Sequence, residues 1–295
     1  MPITHSPLRY PGGKAQLKPF IKELLSTIEV KTLTYIEPFS GGAGLALSLL
    51  FDGTASKIIL NDYDKAIYSL WHCIVYNSED LITKIIDTPV TIDEWHIQKG
   101  IYEQKEETDV VELAFATLFL NRTNRSGILK AGVIGGKEQK GNYKLDCRFN
   151  KRGLIDKIKK ISLSADCIEL HNLDAVEFIE KVIKKQDKNC CFIFFDPPYY
   201  NKGKELYTNF FDKEDHENLF IKINALKDYN WIVTYDNCQE IIELYKEHHP
   251  RIYSLNYSLA TKKKATELLF VSKGIDIPAN IKNLNFEKPA TFEIK

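Results

Sequence analysis

Six consecutive apolar residues, Cys190-Cys191-Phe192-Ile193-Phe194-Phe195, stop at Asp196-Pro197-Pro198-Tyr199. A run that short, with no polar alternation, predicts a strand buried on both faces, as in the middle of a parallel sheet. Parallel strands cannot be joined by hairpins. Crossover helices must therefore cover both faces, which constrains the chain to an α/β architecture with a mostly parallel sheet. Residues 32–37 read as a first strand, followed by the turn Pro38-Phe39-Ser40-Gly41-Gly42-Ala43-Gly44 and a helix over 45–50. Strand, glycine turn and helix open a Rossmann-like nucleotide-binding unit. Further strands are expected over 57–60, 167–170 and 231–235, with helices over 66–75 and from Asp174 to Ile183. Residues 252–259 and 267–271 read as a terminal antiparallel hairpin around a Lys262-Lys263-Lys264 turn.

Residues 80–162 are too long and irregular for an ordinary crossover. They begin with helical material over 110–120 and continue through Gly127, Gly132, Gly135, Gly136 and Gly141. We expect one α/β domain built from 1–79 and 163–295, with 80–162 as a mainly helical inserted domain.

Total charge says little, because 40 basic and 40 acidic residues cancel. Its distribution says more. Residues 1–22 hold Arg9, Lys14, Lys18 and Lys22 and no acid, and residues 122–152 hold nine Arg or Lys against Glu138 and Asp146. Brought together, the two segments would suit a nucleic-acid backbone; apart, they are a solvated face. The six cysteines form no CxxC pair, so buried thiols in a cytoplasmic, reducing compartment are expected, without a metal site. No targeting segment and no run of about 18 apolar residues stands out, so no membrane association is expected.

The glycine turn lacks both GxGxxG and GxxxxGK[ST] spacing, which favours a cofactor without phosphates. Asp62 ends the second strand, where a carboxylate can accept ribose hydroxyls. Asp64 is the better cap for the next helix. Asp174 suits either the cofactor's adenine amino group or the N-cap of its own helix. The tetrad lies at the ligand-binding edge of the sheet. Asp196 and the Pro197 carbonyl can accept both hydrogens of an amino group, which localises the nitrogen lone pair for attack on a sulfonium methyl. Pro198 stiffens the turn, and Tyr199 offers a face for an extruded base. An amino nitrogen needs no cysteine nucleophile. The alternative reading is a rigid surface turn.

Together these motifs resemble the Dam-like, D12 class of DNA adenine-N6 methyltransferases, from Leu8 to about Val271. The segment Arg9-Tyr10-Pro11-Gly12-Gly13-Lys14 is similar to the family's N-terminal motif. The resemblance implies S-adenosylmethionine as cofactor, held by Tyr10, Gly12, Gly13, Lys14, Glu37, Pro38, Phe39, Ser40, Gly41, Gly42, Asp62, Asp174 and Asp196. It implies catalysis by Asp196, Pro197, Pro198 and Tyr199 with Lys14 near the target base. Tyr207, His216 and Tyr235-Asp236 also match the family. The order of motifs is that of the alpha group, whose insert reads DNA. That implies DNA contacts from Arg122, Asn124, Arg125, Lys137, Lys140 and Arg148. Residues 128–144 depart from the segment of GATC-reading members, so the resemblance does not imply GATC as target. Double-stranded DNA is the expected partner, with a separate restriction endonuclease as a further one. A monomer is expected, with a dimer left open. The competing expectations are an RNA or protein amino-methyltransferase, which more often carries NPPY and lacks such an insert, and a non-catalytic DNA-binding relative.

Overall fold

The computed structural model describes residues 4–10, 14–28, 30, 32–201, 211–258, 262–275, 277 and 286–287. Eight strands form one sheet in the order β3-β2-β1-β4-β5-β7-β6-β8. They are β1 (Thr34–Glu37), β2 (Lys57–Asn61), β3 (Ile168–His171), β4 (Cys191–Phe195), β5 (Asn230–Asp236), β6 (Arg251–Ser258), β7 (Lys262–Val271) and β8 (Phe286–Glu287). The first five run parallel. β7 is antiparallel to β5, β6 to β7 and β8 to β6.

All but the first residue of the apolar run form the central strand β4, buried along its whole length. Side chains alternate across a strand, so each strand feeds two cores. Tyr35, Ile58, Leu60, Phe192, Phe194 and Ile232 enter one. Ile36, Ile59, Ile193, Phe195 and Val233 enter the other. The first core is covered by α1 (Lys18–Ser26), α2 (Gly44–Phe51) and α3 (Lys65–Tyr76), the second by α8 (Ala175–Lys181), α9 (Lys213–Asn224) and α10 (Gln239–Leu244).

The long connection holds α4 (Ser78–Asp87), α5 (Ile92–Glu103), α6 (Val110–Thr123) and α7 (Lys151–Ser162), with short 3₁₀ turns at Arg125–Gly127 and Leu145–Arg148. α6 is apolar on nearly every side because it is enclosed by α3, α4 and α5. Its Leu113, Phe115 and Leu118 join the same apolar cluster as Tyr35 and Phe192. The inserted helices thus share a core with one face of the sheet.

Two expectations need correction. The lysines 262–264 are the first residues of β7 and not a turn. Their backbone pairs with Ser258, Tyr257 and Asn256 of β6, ahead of the apolar run at Leu268-Leu269-Phe270 that suggested the strand. The third strand also starts one residue later than expected, because a 3₁₀ turn takes up Ala165–Cys167.

Candidate active site

β1 is the point at which the sheet order reverses, with β2 on one side and β4 on the other. The loops leaving the carboxyl ends of β1 and β4 lead to α2 on one face and α9 on the other, and the ligand crevice of such sheets lies where connections part in this way. The β1 loop is the glycine turn, and the β4 loop is the tetrad.

Side chains from four elements shape the glycine turn. Asn61, fully buried, donates to the Pro38 and Leu173 carbonyls at 2.9 and 3.0 Å and accepts from the Leu173 amide at 2.9 Å. The Ser40 amide donates to the Asn61 carbonyl. The Trp71 indole of α3 donates to the Gly41 carbonyl at 2.8 Å. Asp62 accepts from the Gly41 amide at 2.8 Å through Oδ2 and from the Asp64 amide through Oδ1. The glycines are required here. Gly41 has φ +44°, and a Cβ on Gly41 or Gly42 would stand 2.6 or 2.8 Å from Tyr10. Tyr10 therefore lies directly on the loop. Phe39 faces Phe211 edge-on at 5.9 Å.

Two acids here hold their protons unusually well. Burial pushes Glu37 up to about 8, with the nearby Asp196 adding to it and the Tyr35 hydroxyl and the Ala46 amide offsetting part. Burial, reinforced by Asp64, pushes Asp62 up to about 7. Among the described residues no cation pairs with Glu37. Asp64 caps α3 by accepting from the Ala66 amide. Asp174 caps α8, accepting from the Val176 and Glu177 amides through Oδ1. Its helix-cap role is therefore realised, and its other oxygen faces no described partner. Gly12, Gly13 and Tyr207 lie outside the described residues.

Across the crevice, Asp196 follows β4 directly. Its Oδ1 accepts from the Thr234 hydroxyl at 2.7 Å and pairs with Lys14 Nζ at 3.0 Å. No described group engages Oδ2. Lys14 opens the 3₁₀ turn Lys14–Leu17 and is buried against this face of the sheet. It also donates to the Tyr199 hydroxyl at 3.1 Å and lies 3.4 Å from Glu267 Oε2. Burial raises the proton affinity of Asp196; Lys14 opposes this and Glu267 adds to it. Beyond the tetrad, Asp236 at the end of β5 accepts from the Tyr200 and Asn201 amides and fixes the outgoing chain. His216 is buried beneath Tyr200 and shares a 2.9 Å hydrogen bond with Tyr235. Thr234, Tyr253 and Glu267 were missed by sequence reasoning. The one available signal was a lone acid inside the apolar end of β7.

The residues expected at DNA divide into two groups. Arg125, Lys137, Lys140 and Arg148 are exposed. Arg122 is largely buried; its Nε donates to the Arg148 carbonyl at 2.7 Å and its Nη1 approaches the Pro7 carbonyl at 3.3 Å. Asn124 corrects the expectation: it is fully buried and structural. It accepts from the Trp95 indole at 2.7 Å and donates to the Leu129 carbonyl at 2.8 Å. Asn124→Ala should strand these buried partners and cost about 2–4 kcal/mol. An unchanged urea midpoint would contradict that assignment.

The two basic segments do meet. Arg122 of the second reaches the Pro7 carbonyl of the first, Arg9 donates its amide to the adjacent Asn121, and Lys157 just beyond donates to the Ser6 carbonyl at 3.0 Å. Desolvation lowers the Arg122 pKa to about 10, helped by repulsion from Arg9 and Arg148. Arg9 is lowered by burial and then by Arg148, and Lys157 by burial and then by Arg122. Among the described residues no ion pair involves an arginine, although many involve lysines.

A sheet ordered 3-2-1-4-5-7-6-8, with a glycine turn after β1 and the Asp196 carboxylate after the neighbouring β4, has the Rossmann-like fold of S-adenosylmethionine-dependent methyltransferases. The family model of the D12 class N6 adenine-specific DNA methyltransferases matches residues 10–262, and the chain belongs to that family. It is 24 % identical over 221 residues to the Type II methyltransferase M.MjaIII of Methanocaldococcus jannaschii, covering 70 % of this chain and 73 % of that one. Two structures of the rRNA methyltransferase aviRa from Streptomyces viridochromogenes align with TM-scores of 0.38 and 0.39 at 11 % and 12 % identity, covering 89 % of this chain and 86 % of theirs.

Proposed function

We propose that this protein is a site-specific methyltransferase that uses S-adenosylmethionine to methylate N6 of an adenine extruded from duplex DNA. The observation that carries this is the Asp196 carboxylate. It is anchored through Oδ1 by Lys14 and Thr234, and its Oδ2 is left for a substrate amino group. Asp196 Oδ2 and the Pro197 carbonyl accept the two amino hydrogens and localise the nitrogen lone pair. Asp196 then takes the proton that N6 sheds as it becomes methylated. Pro198 keeps the turn rigid, and Tyr199 stands beside Lys14 to receive the base.

The residues present fit the cofactor. S-adenosylmethionine supplies an electrophilic methyl group when bound. Glu37, a buried acid without a cation, suits a ligand that carries positive charge. Asp62 suits its ribose hydroxyls and Tyr10 packs against the glycine turn; Tyr10, Phe39, Ser40, Gly41, Gly42, Asp174 and Lys14 are proposed to hold the rest of it. Hydroxyl donors favour the ionised form of Asp62. The Asp62 contribution to cofactor affinity should therefore be full above pH ~8 and be lost as pH drops through about 7. Asp62→Asn should flatten that fall in a calorimetric titration, and an unaltered slope in the variant would contradict the role.

The arginines support DNA as the polymer. Repelling cations with no carboxylate partner gain from an external anion, and Arg9, Arg122 and Arg148 gather where a phosphodiester backbone would supply it. Residues 80–162 are proposed to read the target sequence, with Arg125, Lys137 and Lys140 on their exposed loops. The likeness to a Type II methyltransferase favours service beside a separate restriction endonuclease. No helix among the described residues is long and apolar enough to cross a membrane, and work in the cytoplasm as a monomer suits this function. Incubation with labelled cofactor and duplex DNA, single-stranded DNA or RNA of mixed sequence tests the proposal. Label in duplex DNA supports it; label confined to RNA or protein overturns it.

A further inference from the structure

Lys14 is one ammonium between two carboxylates. Its Nζ lies 3.0 Å from Asp196 Oδ1 and 3.4 Å from Glu267 Oε2. Glu267 stands on β7 opposite Asp236 of β5 and Tyr253 of β6. It is 2 % exposed, and it accepts from the Tyr199 hydroxyl at 2.5 Å and from the Tyr253 hydroxyl at 2.5 Å. Burying a carboxylate costs several kcal/mol unless hydrogen bonds and a counter-charge offset it. A leucine in this apolar end of β7 would incur no such cost, so stability alone does not account for the acid.

Its placement does. Without Glu267, Lys14 would lose the second ion pair that competes with Asp196, and could bridge both Asp196 oxygens against the incoming amino group. Glu267 holds Lys14 through a second ion pair at 3.4 Å, and the contact with Asp196 is made at Oδ1, 3.0 Å away. Through the Tyr199 hydroxyl it also fixes the ring that follows the prolines. We infer that Glu267 is a positioning residue for methyl transfer: it holds Lys14 and Tyr199 from behind, so that Asp196 meets the adenine amino group with Oδ2 free. This rests on the assignment of Asp196 as the amino acceptor. A second consequence is electrostatic. The groups facing Asp196 are Lys14, Glu37 and Tyr35 of β1, Tyr199, Thr234 and Tyr235 of β5, and Glu267, with Tyr253 of β6 behind it. The Glu267 charge raises the proton affinity of Asp196 and strengthens it as an acceptor.

Glu267→Gln tests this in the full-length protein with duplex DNA. Turnover needs ionised Asp196, so the rate falls as pH drops through the Asp196 pKa. Removing the Glu267 charge lowers that pKa. The expected result is an acid limb displaced to lower pH together with a kcat reduced by about 10-fold or more, with cofactor KM little changed. Wild-type kcat, or a reduced kcat on an unmoved acid limb, overturns the assignment. If the glutamine variant does not fold, Glu267→Asp decides. It keeps the charge while drawing it back, so the acid limb should stay in place while kcat falls, and wild-type kcat overturns the assignment. Absence of adenine methylation by the wild-type protein under the same conditions would instead remove the premise about Asp196.

Discussion

Asp196→Asn should lower kcat by about 10³-fold while leaving cofactor affinity within several-fold of wild type. The size follows from what the carboxylate does. An asparagine amide keeps the shape of the side chain and can still accept from Thr234. It loses the charge that pairs with Lys14 at 3.0 Å and the basicity needed for the departing proton. In the orientation that keeps its oxygen on Thr234, its NH₂ also faces the adenine NH₂, donor against donor. The proposed cofactor contacts come mainly from the β1 loop and Asp62, whose own hydrogen bonds the substitution leaves untouched. Single-turnover methyl transfer at saturating DNA and cofactor, beside a calorimetric titration of cofactor, measures both quantities. Turnover within about tenfold of wild type would reject the assigned role.

The second large effect concerns DNA. Replacing Arg9 and Arg148 together by alanine should weaken duplex binding strongly and reduce the salt dependence of log K by about 0.9 for each phosphate that is no longer neutralised. Both side chains help to depress the pKa of Arg122. The double variant should consequently be no less stable than wild type without DNA, and slightly more stable at low salt. The variant trades affinity against stability in opposite directions, which a packing defect would not do. Arg148→Ala leaves intact its backbone carbonyl, the acceptor for Arg122 Nε at 2.7 Å. An unchanged salt slope with reduced thermal stability would show that the cluster is structural. Arg125→Ala, on an exposed loop, should instead relax discrimination between target and non-target DNA if its guanidinium reads a base edge.

Where the candidate site's two loops lie was legible in the sequence because it is local. A strand followed by a glycine turn, and another by a double proline, fix where the loops lie, and β-strand order then brings Glu37 and Asp196 to one edge. What escaped was long-range. Glu267 meets Lys14 across 253 positions of sequence, and nothing local on β7 announces that partnership. Asn124 failed for a related reason. Asparagine beside arginines in a basic stretch reads as a polar surface, yet the Trp95 indole and two turn carbonyls claim its amide. Arg122 was half legible: its charge reaches the basic cluster, while its hydrogen bonds tie Pro7 and Arg148 into the fold. The lysines of 262–264 misled because a basic run resembles a turn, whereas their backbone pairs with Asn256, Tyr257 and Ser258 of β6.

The most direct test is the identity of the product. Unmethylated plasmid DNA should be incubated with the protein and isotopically labelled S-adenosylmethionine, digested to nucleosides and resolved by mass spectrometry. The expected result is label in N6-methyladenine alone, lost with Asp196→Asn. Label in methylated cytosine, or in no nucleoside from any DNA while the protein binds the cofactor, would contradict adenine methylation at this site.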